Sequence, residues 1–361
     1  MSAPEVSYKP APRIQFVVDG NLLRLLIACV AIFVVMSLLR PNVFPTVENF
    51  LSMGSQFPEI GILAIAIMIT MLTGGIDLSV VSTANLAGVL AAMVIRALIP
   101  ADAPEGQVIV GLAIAIAVAF VTGALAGLFN GLLVAYVNLT PILATLGTMT
   151  LYTGLTVAMT RGNAVFAENR LTFIGTSNVL GVIPIPLVIF VVVVAIFAVI
   201  LNRTPFGLKL YMIGSNVKAA RFSGINVRQV LLMTYMLSGV LSAVVAIIFL
   251  GRNNSAKWDF APSYVLQAIV VAVLAGVNPN GGSGRIAGIV LAILALQFVS
   301  TGMNMLLFTI SGGQFFKEFA WGALLLIIMV ANAYSEQRRL APKRKLREES
   351  GATSSESEVT Q

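Results

Sequence analysis

Histidine is absent from the 361 residues, and cysteine occurs once, at Cys29. Without an imidazole there is no histidine-based acid-base chemistry, and a zinc site would need carboxylates alone. One cysteine excludes an intrachain disulfide and a cysteine metal cluster. Charge is also scarce: 10% of residues are Asp, Glu, Lys or Arg, against about a quarter in soluble domains. The dipeptide Gly-Lys never occurs, so the phosphate-cradling pattern G-x-x-x-x-G-K-[ST] is missing and ATP binding of that kind must come from another chain.

What remains is oily. Hydrophobic residues make up 58% of the chain and mean hydropathy is +0.95. The apolar runs are long and continuous rather than alternating over about ten residues, which implies transmembrane helices and excludes an outer-membrane barrel. Ten spans are expected, at 22–40, 57–74, 78–98, 108–136, 141–160, 185–201, 229–250, 264–278, 286–308 and 318–333. The first is read as a retained span rather than a signal peptide, because no small-x-small cleavage site follows it. The expected class is an all-α polytopic membrane protein. Residues 1–20 form an N-terminal tail, 21–333 the transmembrane domain and 334–361 a disordered, basic-then-acidic tail drawn to lipid.

An even span count puts both termini on one side. With the N-terminus inside, fifteen lysines and arginines fall in inner segments and seven in outer ones, so both termini are expected in the cytoplasm.

Between Ile60 and Ile95 the only charge is Asp77. A single helix over that run would be about 54 Å long, well beyond the roughly 30 Å hydrocarbon core. The chain must turn back. Gly74 and Gly75 supply the turn, and Asp77 is placed to accept amides where the next helix begins. A second stretch, 268–296, again reads as a short apolar helix, a glycine turn (Gly281, Gly282, Gly284) and a small-residue helix. The pair suggests two related halves in parallel orientation.

The fifteen acids fall in loops, tails or span ends, with Asp77 and Glu318 closest to the membrane. No proton relay is visible; a stand-alone sodium-coupled carrier stays open, since broken helices can hold sodium with carbonyls and hydroxyls. The largest inner loop, 202–228, contains Ser215 as a candidate N-cap, a short helix over Asn216 to Phe222 and Gly224 as its stop, with Lys218, Ala219, Ala220 and Arg221 on it. Such a helix suits a soluble partner, or its basic residues anchor the loop to anionic lipid. Asn85, Asn130, Thr145, Thr148, Tyr152, Gln267, Gln297 and Asn304 supply uncharged polar groups within the spans. They suit a pathway for a neutral solute, or interhelical hydrogen bonds. The outer loop 161–183, with Arg161, Glu168, Asn169 and Arg170, is a surface a binding protein could touch.

Four stretches carry a family resemblance: LTGGIDLSVVS (72–82), NGLLVAYVNLTPILATLGTM (130–149), GSNVKAARFSGINV (214–227) and VLAGVNPNGGSGRIAGIVLA (273–292). The chain resembles the membrane permease subunits of bacterial ATP-binding-cassette importers for ribose, xylose and related sugars. Val81 stands where that family usually has glycine. The resemblance implies a non-enzymatic subunit of the inner membrane, without nucleic-acid contacts or a bound cofactor, that imports a sugar or polyol. It implies pairing with a second permease, identical or paralogous, with a cytoplasmic ATPase that uses ATP, and with an extracytoplasmic solute-binding protein. Residues 214–227 would then couple to the ATPase. Nucleosides and branched-chain amino acids are alternative cargoes of distant relatives.

Overall fold

The computed structural model describes residues 20–307 apart from 101 and 180, together with 319, 322 and 323. The helices are α1 (Gly20–Leu39), α2 (Val47–Leu72), α3 (Val80–Leu98), α4 (Glu105–Ala135), α5 (Pro141–Thr160), α6 (Thr172–Thr176), α7 (Ile185–Arg203), α8 (Pro205–Ser215), α9 (Val217–Phe222), α10 (Val227–Asn253), α11 (Tyr264–Leu274) and α12 (Ile286–Leu307). Two-residue strands form two antiparallel pairs: β1 (Val165–Phe166) with β4 (Ser255–Ala256), and β2 (Asn178–Val179) with β3 (Ile183–Pro184).

Among the described residues eight helices, α1 to α5, α7, α10 and α12, are long and apolar enough to cross a bilayer. The protein is an all-α polytopic membrane protein, as its apolar runs imply. The expected span at 264–278 is α11, which has only 11 residues. At 1.5 Å per residue it is about 16 Å long, roughly half the hydrocarbon thickness. The tenth expected span falls almost wholly outside the described residues, as do both tails.

Helix α2 begins ahead of the expected boundary at 57. Thr46 caps it by accepting the Asn49 amide at 3.3 Å, and the Asn49 side chain donates to the Phe44 carbonyl at 2.7 Å. These outer turns carry Glu48, Ser52, Ser55 and Gln56, so hydropathy alone cannot see them. One reading changes as a result. Glu59, taken as a span-end acid, lies inside α2 with its side chain 1% exposed, and its Oε1 accepts from Arg252 of α10 at 2.7 Å. Pairing satisfies a carboxylate that would be costly alone at this depth.

Every residue of α2 from Gly61 to Leu72 is buried, as expected of a helix apolar all round. Around it stand α7, α10, α11 and α12, and α10 in turn packs on α3 and α4. The α4–α10 crossing is set by glycine. A Cβ on Gly127 would run into the Tyr235 carbonyl, and one on Gly239 into the Gly123 carbonyl. Small residues let the two backbones meet, which gives membrane helices their packing energy where lipid removes the hydrophobic drive. Helix α1 lies outermost on α12, where Phe33 stacks near Phe298 with ring centroids 5.5 Å apart.

The loops sort to two ends. At one, β1 pairs with β4, the Asn169 amide donates to Asn254 Oδ1 at 2.7 Å, and Arg170 donates to the Pro100 carbonyl at 2.9 Å. At the other, the turns after α2 and α11 meet beside the last turn of α8.

Candidate functional site

That second end is built from two helix stops of the same design. Helix α2 closes with the Gly74 amide on the Met71 carbonyl (2.9 Å) and the Gly75 amide on the Thr70 carbonyl (3.1 Å). Helix α11 closes with the Gly276 amide on the Val273 carbonyl (3.0 Å) and the Val277 amide on the Ala272 carbonyl (3.1 Å). Both are Schellman motifs, and the residue in the left-handed region is glycine in each, Gly74 (φ +84°) and Gly276 (φ +83°). Gly276 was not singled out in the sequence, although a glycine just past an apolar run is the usual helix-stop signal. Gly281 (φ +96°) and Gly282 (φ +79°) do bend the following loop, whereas Gly284 is not in the left-handed region.

The two turns touch. The Gly282 amide donates to the Leu72 carbonyl at 3.0 Å. Helix α8 seals this bond from the side, for a Cβ on Gly214 would collide with the Leu72 carbonyl and the Gly282 amide. Beside it the Tyr211 hydroxyl donates to the Gly284 carbonyl at 2.8 Å. Helix α8 itself lay unread within the 202–228 loop. Its signature is present as Thr204 and Pro205: the Thr204 hydroxyl accepts the Gly207 amide at 3.4 Å, and proline occupies the first helical turn.

Helix α9 follows directly. Its N-cap is Asn216 rather than Ser215: the Asn216 side chain accepts the Ala219 amide at 3.0 Å from an extended backbone (φ −163°, ψ 102°). Ser215 is still the last residue of α8, where its hydroxyl donates to the Tyr211 carbonyl at 2.8 Å. Gly224 (φ +77°) ends the helix with its amide on the Arg221 carbonyl at 3.0 Å. Lys218, Ala219 and Arg221 are exposed and Ala220 is buried. Phe222 is 93% exposed, a naked aromatic on a short helix that the sequence reading passed over as the helix's last residue.

Asp77 does more than cap. Its Oδ1 accepts the Ser79 amide (3.0 Å) and hydroxyl (2.7 Å), while Oδ2 accepts the Ser238 hydroxyl of α10 at 2.8 Å. Ser79 is the N-cap of α3, so the aspartate holds the residue before the helix rather than its first turn. Asn130 of α4 donates to Ser79 Oγ at 2.7 Å, and Thr145 of α5 donates to the Ile76 carbonyl at 3.1 Å. Gly75 is needed for closeness: a Cβ there would stand 2.5 Å from the Tyr235 hydroxyl and 2.9 Å from Pro141. The turn is thus tied to α4, α5 and α10 at once. Asn130 Oδ1 and the Tyr235 hydroxyl are buried here without a hydrogen-bond partner among the described residues.

The remaining polar residues divide. Thr148 donates to the Thr145 carbonyl at 3.3 Å within α5, and Tyr152 donates across to the Ala126 carbonyl of α4 at 2.9 Å. Asn85 of α3 holds the segment between β4 and α11, donating to the Trp258 and Phe260 carbonyls at 3.0 and 3.1 Å. Gln267 and Gln297 meet with Gln56, Tyr264 and Ser300 around a cavity of about 40 Å³ between α2, α11 and α12. No charged residue lines it among the described residues, and it has room for a few waters. Asn304 is exposed.

Residues 49–332 match the protein family described as "Branched-chain amino acid transport system / permease component". The chain is 32% identical to the ribose import permease protein RbsC of Haemophilus influenzae, over 88% of this chain and 94% of that one. It is 34% identical to RbsC of Bacillus subtilis, over 82% and 88% respectively. It is also 32% identical to the autoinducer 2 import system permease protein LsrD of Yersinia enterocolitica, over 79% and 84%. No solved structure matches it. Spans, turns and relatives agree, and the chain belongs to this family of membrane permease subunits of ATP-binding-cassette importers, as a multi-pass protein of the inner membrane.

Proposed function

We propose that this chain forms the translocation pathway for an uncharged solute of the sugar class, and that α9 is the foothold through which a separate ATPase drives it. The observation that carries the second part is the position of α9. Phe222 stands 93% exposed at its end, and α8, immediately before it, lies against the Leu72–Gly282 bond. A push on α9 therefore reaches the ends of α2 and α11 and the starts of α3 and α12 together. ATP binding at the partner then biases two arrangements of these four helices.

In this reading both termini and the α8–α9 loop face the cytoplasm, in line with the fifteen-to-seven split of basic residues. A solute-binding protein delivers cargo at the other end, and a second permease, identical or paralogous, completes the pathway. This chain holds no cofactor, and ATP is used at the partner. Sugar-class cargo is favoured by the names of the ribose and autoinducer 2 relatives, and by the amide-rich, uncharged cavity at Gln56, Gln267 and Gln297. The family description, which names branched-chain amino acids, gives the second reading of the cargo.

Reconstitution decides both parts. Proteoliposomes containing this chain, its ATPase and its binding protein are expected to take up labelled sugar only with ATP inside, without regard to a sodium gradient. Uptake by this chain alone would remove the ATPase from the account. Inhibition by leucine rather than by ribose would move the cargo to amino acids.

A further inference from the structure

The β2–β3 hairpin, at the end of the bundle away from the glycine turns, presents apolar side chains outward. Its strands pair Val179 with Ile183, and directly paired residues of an antiparallel ladder stand on one face. That face is open: Val179 is 41% exposed and Ile183 42%, and Val182 in the turn between them is 56% exposed. The next residue takes the other face, as alternation along a strand requires. Pro184 is buried, its Cγ 3.6 Å from where a Cβ on Gly54 of α2 would stand. The root of the hairpin is thus set against α2 while its apolar pair is turned away. Two features say what covers that pair. The first is charge. Residues 171–202 include no charged side chain, yet α7 begins only at Ile185, so the charge-free run extends through α6 and the whole hairpin before the spanning helix starts. The second is length. Helix α7 has 19 residues, about 28 Å at 1.5 Å per residue, close to the roughly 30 Å hydrocarbon thickness. With Arg203 exposed at the far end of that helix, Val182 and Ile183 fall where acyl chains give way to headgroups. The exposed stripe of α7, Val191, Val192, Ile196 and Val199, is uniformly branched and apolar, as a surface against acyl chains is, and β3 runs into the helix without an intervening residue.

We infer that the β2–β3 hairpin lies in the lipid interface, with Val179, Val182 and Ile183 against the acyl chains just below the headgroups, and anchors that end of α7 to the bilayer. A lone two-stranded hairpin is marginal in water, and an apolar cover supplies what so short a ladder lacks. Its turn tolerates this depth because backbone groups left unpaired there still reach water among the headgroups, which the hydrocarbon core does not allow. A soluble protein fits less well. An interface between proteins in water carries a polar rim, and the charges at this end, Glu168, Lys257 and Asp259, flank β1 and β4 instead. Since Pro184 bears on α2 beside Gly54, the anchor sets α2 and α7 together relative to the membrane surface.

The test is site-directed spin labelling of the full-length chain in vesicles of phosphatidylethanolamine and phosphatidylglycerol. Cys29→Ala removes the one native thiol. Val179→Cys, Val182→Cys and Ile183→Cys then carry the nitroxide one at a time, with Lys257→Cys as the exposed reference at the same end. Power saturation is expected to show the three hairpin labels open to oxygen and shielded from a water-soluble nickel chelate, at a depth of about 5–10 Å into the boundary between headgroups and acyl chains. The label on Lys257→Cys should show the reverse. Nickel access at the hairpin equal to that of the reference would put it in water and overturn the anchor. Shielding from both reagents would mean that protein covers the face, and nickel access that is lost only when the binding protein is added would assign the face to that partner. Either result overturns the anchor as well.

Discussion

The amide of Gly282 donates to the carbonyl of Leu72 at 3.0 Å, joining the turn after α11 to the last residue of α2. Neither residue contributes a polar side chain. The bond exists because Gly214 presents no Cβ where α8 crosses it. Three segments distant in sequence meet here backbone to backbone, with the Tyr211 hydroxyl on the Gly284 carbonyl as a side-chain tie beside them.

Substitution at Gly214 should therefore be felt at once. Gly214→Val is expected to destabilise the protein by about 1–3 kcal/mol, the usual cost of overpacking, and to lower transport further by prying the two turns apart. Gly154→Ala is the control, since its Cβ would meet nothing within 4 Å. Thermal unfolding in detergent separates the two variants; equal melting temperatures would show that the junction yields freely.

Phe222 offers a test of docking that spares the fold. Removing an exposed side chain should change stability by less than about 0.5 kcal/mol, while loss of an aromatic anchor at an interface costs about 2–4 kcal/mol of affinity. Phe222→Ala should then insert and melt normally yet fail to retain the ATPase on co-purification. Ala220, 1% exposed, predicts a different failure. Ala220→Trp has no room beneath α9 and should loosen the helix itself, uncoupling ATP hydrolysis from uptake.

Around Asp77 the expected signs are opposite for neighbouring polar groups. Asp77→Ala strands the Ser79 amide and the Ser79 and Ser238 hydroxyls, and each abandoned buried donor costs about 1–3 kcal/mol. Yield and melting temperature should fall sharply. Tyr235→Phe removes a buried hydroxyl that has no partner and should be neutral or stabilising by up to about 1 kcal/mol. Differential scanning fluorimetry of the two variants measures both.

The Glu59–Arg252 pair predicts an asymmetry. Arg252→Met leaves a carboxylate 1% exposed without its cation and should cost about 3–5 kcal/mol. Glu59→Gln leaves a guanidinium that is 25% exposed and should cost less. The double variant Glu59→Gln with Arg252→Met should recover part of the loss. A double-mutant cycle with zero coupling would mean that the pair carries no energy.

Most of the span pattern was legible because hydrocarbon imposes it: a run that is apolar and about twenty residues long has few other uses. The boundaries failed where polar residues extend a helix beyond its apolar run, as Glu48 to Gln56 do in α2. The glycine turn at 74–75 could be read from arithmetic on helix length, but its contact with Gly282 could not, because a bond between two backbones leaves no trace in residue type. For α8 the signal was there, a threonine followed by proline ahead of an apolar stretch, and the surrounding basic residues drew attention instead. Asp77 was read as a local cap since sequence shows only its neighbours along the chain; Ser238 lies on a helix that arrives much later.

The brevity of α11 has a consequence for ion tightness. Elsewhere the barrier against leakage is sheer thickness of apolar helix. At α11 it is about 16 Å of helix, and the irregular backbone on either side must be shielded by protein or by enclosed water. The electrical resistance of the resting membrane then depends locally on a few side chains, among them Val271, Ile293 and Leu296, which line the small cavity beside α11. Around α11 the membrane potential is held by a thin layer of packed side chains, and a single methyl lost there should register as current across a planar bilayer before it registers as lost stability.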